Sequence, residues 1–109
     1  MAAISSEQIG VGGIAPTYGA AAAGGDTFNP DGRTFFHVKN GGGSSITVTI
    51  TAYGSGPGGN PVSNRVVSVP NAGERMIGPF DPAGFADQNN NAAVAYSAVT
   101  SVTVAAFRL

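Results

Sequence analysis

The sharpest alternation of hydrophobic and polar positions runs from Ser45 to Ala52. Ile46, Val48, Ile50 and Ala52 alternate without a break with Thr47, Thr49 and Thr51. Successive side chains of a β-strand point to opposite faces, so this stretch has one apolar face and one wet face. Its β-branched residues suit a half-buried pleated surface. The pattern predicts a strand near the middle of an antiparallel sheet.

Weaker versions of the pattern recur on both sides. Arg33 to Asn40 places Phe36 and Val38 on one face and Phe35, His37 and Lys39 on the other. The link Asn40-Gly41-Gly42-Gly43-Ser44 predicts a loose hairpin into the central strand. Further strands are expected at Arg65 to Pro70, Glu74 to Phe80, Ala92 to Ala98 and Val102 to Leu109. Asp26 to Gly32 is turn chemistry around Asn29-Pro30-Asp31-Gly32, and Asn71-Ala72-Gly73 is a second turn. Tyr53 to Asn64 and Asp81 to Asn91 are loops, the latter interrupted by Phe85. Gly13 to Ala23 is an extended edge segment that tolerates Pro16.

Short strands, frequent turns and no helical period predict an all-β domain of about six to eight strands. The expected form is an antiparallel β-sandwich or small jelly-roll-like barrel over residues 14–109, preceded by an extended N-terminal arm over residues 1–13. The expected core is Phe36, Val38, Ile46, Val48, Ile50, Val67, Val69, Ile77, Phe80, Val94, Tyr96, Val102 and Val104. The arm's Ile4, Ile9 and Val11 are too sparse for a core of their own. They suit a segment that is loosely held or ordered against a neighbour.

Composition narrows the function classes. The chain of 109 residues fits one domain, and charged residues make up only 10%, well below the usual quarter. The five basic residues are scattered and the net charge is -1, so no footprint for nucleic acid or anionic lipid is expected. No run is long and apolar enough for a membrane helix, and no basic region precedes the first apolar residues as in a secretory signal. The absence of cysteine excludes disulfides and thiolate chemistry. Low charge with many small polar residues suits a surface that works in an assembly, and Arg33, Arg65 and Arg75 suit subunit contacts or solvent.

Catalytic and ligand motifs are weak. His37, the single histidine, has no nucleophile or orienting acid at a recognisable spacing and is expected at a surface or interface. Gly54-Ser55-Gly56-Pro57-Gly58-Gly59 fits a dinucleotide fingerprint in letters, but Asn60-Pro61 and a strand follow where a helix is required. Asp81, Asp87 and Asn89 to Asn91 lack the ligand spacing of a calcium loop. Glu74 and Asp81 are a poor glycosidase pair without a cleft or tryptophan. No cofactor and no small-molecule substrate are expected.

Three segments carry a resemblance. They are Asp31-Gly32-Arg33-Thr34-Phe35-Phe36-His37-Val38-Lys39-Asn40, Val69-Pro70-Asn71-Ala72-Gly73-Glu74-Arg75-Met76-Ile77-Gly78-Pro79-Phe80, and Tyr96-Ser97-Ala98-Val99-Thr100-Ser101-Val102-Thr103-Val104-Ala105-Ala106. In order and spacing they resemble small structural proteins of tailed bacteriophages, over Gly25 to Leu109. The resemblance implies a non-enzymatic virion component on the outer capsid surface. It would be a decoration, or cement, protein that binds the major capsid protein, bridges its subunits and stabilises the shell. A homo-oligomer is expected, with a trimer favoured. The competing expectations are a head–tail connector or tail component, and a surface adhesive or carbohydrate-binding module.

Overall fold

A computed structural model describes residues 2–52, 63–80, 82–87 and 89–109. The expected glycine-rich loop fingerprint and Asp81 lie outside these residues. In chain order the strands are β1 (Ala2–Ile4), β2 (Ser6–Gln8), β3 (Gly19–Ala20), β4 (Asp26–Phe28), β5 (Thr34–Asn40), β6 (Ile46–Ile50), β7 (Arg65–Val69), β8 (Gly73–Ile77), β9 (Ala92–Tyr96) and β10 (Val102–Arg108). One helical turn, α1 (Pro82–Phe85), stands where the sequence predicted only loop.

The strands form a β-sandwich of two sheets. The first has the order β1-β4-β9-β6-β7, so the central strand read from the sequence does lie inside a sheet. The second has the order β2-β10-β5-β8, with β3 also pairing β10. Ile46, Val48 and Ile50 face inward from the first sheet, and Phe36, Val38, Val102, Val104 and Ala106 face inward from the second. The rings of Phe28 and Phe36 stack across the interior at 5.3 Å. Phe80 and Phe85 close one end, 5.1 Å apart and edge to face. Val67 and Tyr96, expected as core, are only half-buried against it.

Three local expectations need correction. First, the pairing is not wholly antiparallel, because β1 runs parallel to β4 and β2 parallel to β10. The N-terminal residues extend along this same domain. Ile4 packs on the core, Ser5 carries the chain from one sheet to the other, and the Ile9 amide donates to the Arg108 carbonyl at 2.8 Å.

Second, residues 40–46 do not make a hairpin. They cross from the second sheet to the first, and so the aligned strands β5 and β6 never pair. The Asn40 side chain fixes this corner. Its amide nitrogen donates to the carbonyls of Ser44, Val69 and Pro70 at 2.8, 3.2 and 3.2 Å, and its oxygen accepts from the Gly42 amide at 3.0 Å. The same group thereby ties in the second crossing, from β7 to β8. There Gly73 passes so close to Pro70 that a Cβ would lie 2.6 Å from its ring.

Third, Asp26 is not an exposed turn residue. It starts β4, is buried, and accepts the Tyr96 hydroxyl at 2.6 Å and the Ala22 amide at 3.3 Å. A buried carboxylate is tolerable only with such donors. Burial, then the hydrogen bond and charge of Asp26, push the Tyr96 hydroxyl far above its ordinary pKa, which keeps it protonated as the donor.

Candidate assembly surface

The outward face of the second sheet is built by β8, β5 and β10. Register puts Phe35 beside Phe107, and His37 between Ala105 and Met76. Inward alternation had left these positions as the wet side. Instead, Phe107 is buried, Phe35 is half-buried, and their rings lie 5.7 Å apart. The chain covers part of this face with its own segment 9–18 and ends on it at Leu109.

His37 is the clearest departure from expectation. It is only 4% exposed, because Tyr18 lies over it. The Tyr18 and His37 rings meet edge to face at 5.3 Å, and Tyr18 reaches Phe107 at 6.0 Å. The Tyr18 hydroxyl is 2.6 Å from His37 Nδ1, and His37 Nε2 is 2.9 Å from Glu74 Oε1. An ionised carboxylate only accepts, so Nε2 carries hydrogen, and in the neutral ring Nδ1 accepts from Tyr18. The Lys39 ammonium sits 4.0 Å from the Tyr18 ring centre, a cation–π contact. Desolvation first, then the charges of Glu74 and Glu7, raise the Tyr18 hydroxyl above its usual pKa. That direction holds the proton on oxygen and is opposite to activation as a nucleophile. Glu7 Oε1 also accepts the Thr17 amide at 3.1 Å, which fastens the segment to β2. The row Tyr18, His37 and Glu74 thus works as a clasp for residues 9–18.

Beyond the clasp the face is apolar and open. One hollow of about 460 Å³ is lined by Gly32, Arg33, Phe35, Met76, Gly78, Pro79 and Leu109. A second of about 250 Å³ adjoins it across Phe35 and Met76 and is lined also by Ile9, Ile14, Pro16, Tyr18 and Phe107. Gly78 makes the first hollow possible. Its φ is +129° and a Cβ there would approach the Phe35 backbone to 3.0 Å. Six large apolar side chains are strongly exposed among the described residues, and four of them, Ile9, Ile14, Met76 and Leu109, line these hollows. Val11, the most exposed of all, tips the turn between Ile9 and Ile14, closed by the Gly13 amide on the Gly10 carbonyl at 3.0 Å. Only Val66 lies elsewhere, on the first sheet.

The six residues singled out as partner contacts therefore separate. Ile9, Val11 and Arg33 belong to this apolar region, whereas Ile4 is half-buried on the core. Arg65 and Arg75 sit on the edge strands β7 and β8, at the side of the sandwich away from the arm. Their register opposite Ile50 and Val38 gives them inward-phase positions, yet both are exposed. Charges so placed discourage edge-to-edge pairing. Asp87 accepts the amides of Asn89 and Asn91 at 2.8 and 3.0 Å, so its carboxylate organises its own loop.

Sequence reasoning missed Tyr18, Phe35, Met76, Phe107 and Leu109. A signal was present at Phe35-Phe36 and at Val104 to Phe107, where apolar residues occupy both phases of a strand, as in strands covered on both faces. Comparison with protein-family models, curated proteins and solved structures found no match to this chain.

Proposed function

We propose that this protein is a structural component of a phage virion. It binds the outside of the capsid shell, bridges major capsid protein subunits and stabilises the shell without catalysing a reaction. The observation that carries this reading is the gathering of the large exposed apolar side chains onto one broad face of the sandwich. Large rimmed apolar patches on small proteins mark interaction sites. The three segments that resemble phage structural proteins support it further, because they supply the adjacent strands β8, β5 and β10 of that face.

The mechanism is mass action. A protein that binds only the assembled shell stabilises it by about 2.7 kcal/mol per site when its free concentration is about a hundred times Kd. Symmetry repeats that increment over every site, so a modest contact yields a large total. Co-sedimentation with shells prepared without the protein tests the reading. Saturable binding to shells, absent with dissociated capsid subunits, is expected. Failure to bind shells overturns it.

A further inference from the structure

We propose that a second copy of this chain covers the apolar face of β8, β5 and β10. Val11 and Met76 act as knobs, and the hollow of Arg33, Phe35, Gly78, Pro79 and Leu109 receives them. The inference rests on the assembly role proposed above and names one partner of that surface.

Four observations favour a second copy. The face carries projections and recesses side by side: Val11 and Met76 stand clear of the surface beside two hollows of about 460 and 250 Å³. One copy therefore presents what another lacks, in a reciprocal two-fold contact or head to tail in a ring.

The charges also match. Arg33 is the one charged residue lining either hollow, and Asp31 stands two positions away, its other oxygen 3.9 Å from Arg108. A copy turned to face the first can set Arg33 against Asp31. The remaining charges on the face, Lys39 and Glu74, already lie opposite each other in register. An apolar surface with balanced charge resembles permanent self-contacts, which are more apolar than transient ones.

The size is sufficient. The molecule is a slab with extents of 42 × 35 × 21 Å, and its broad face exceeds the roughly 800 Å² per partner of a stable contact. Finally, copies of the chain are present together from synthesis, whereas a shell forms separately. An uncovered patch of this kind would drive non-specific association in the interval.

Mass measured by light scattering over a dilution series tests the proposal, with wild type, Val11→Asp and Met76→Asp compared. The wild type is expected at a multiple of the chain mass. Each substitution is expected to weaken association by about tenfold or more, as for central contacts of an interface. Val11 is fully exposed in the single chain, so Val11→Asp is expected to keep the parent circular dichroism spectrum and melting temperature. A monomeric wild type, or an oligomer unmoved by both substitutions, overturns the proposal. Shell binding is scored separately. A monomer that binds shells refutes this inference and leaves the decoration role standing. An oligomer that ignores shells does the reverse.

Discussion

Asn40→Ala removes the side chain that holds both sheet crossings. Its amide has two hydrogens and three carbonyls to satisfy, so one hydrogen serves Ser44 and the other is shared between Val69 and Pro70. Its oxygen accepts a fourth bond, from the Gly42 amide. Each made bond contributes about 0.5–1.5 kcal/mol net, and a buried group left without a partner costs about 1–3 kcal/mol. Asn40 is only 2% exposed, so water replaces these bonds poorly. The expected loss is about 3 kcal/mol, a large part of the ~5–15 kcal/mol of a typical domain. At about 4 °C or more per kcal/mol for a domain near this size, the melting temperature falls by roughly 12 °C or more. Asn40→Asp is expected to be worse, because it turns an acceptor-only carboxylate toward three carbonyls. Urea unfolding and calorimetry measure both. A loss below about 1 kcal/mol for Asn40→Ala would refute the corner as the element that fixes sheet order.

Three further outcomes follow from the same packing. Ile50→Asp, which buries an unpaired carboxylate, is expected to prevent folding, while Thr49→Asp on the outward face keeps a cooperative melt; equal behaviour of the two would contradict the register. Removal of residues 1–8 strips β1 and β2 from two sheet edges and Ile4 from the core, and is expected to lower stability by about 1.5 kcal/mol or more. An unchanged melt would mean that the arm is not held by its own domain in solution. The Tyr18 hydroxyl has a folded pKa above its ordinary 10.0, so its contribution is complete below that pH and is lost as pH rises past the folded value. Tyr18→Phe is therefore expected to flatten the alkaline decline in stability, and a decline as steep as the parent's would exclude Tyr18 as its source.

What the sequence made legible was local. The alternation at Ile46, Val48 and Ile50 reports one strand and its inward face, and both appear as read. Sheet membership was not legible, because it depends on a corner. The glycines after Asn40 favour any turn, and only the long-range bonds from Asn40 to Val69 and Pro70 turn that link into a crossing. Phe28 was hidden among turn formers, and its burial comes from stacking on Phe36. The assembly face escaped for a related reason. His37 looks isolated in sequence, yet Tyr18 lies 19 positions before it and Glu74 37 positions after it. Leu109 joins the face only because β10 ends beside Phe35.

The proposed role is tested most directly by cryo-imaging of phage particles with and without the protein. Density outside the shell at symmetry-related positions, absent from particles lacking the protein, is the expected result. Density confined to one vertex or to the tail, or particles identical in both preparations, would contradict the decoration role.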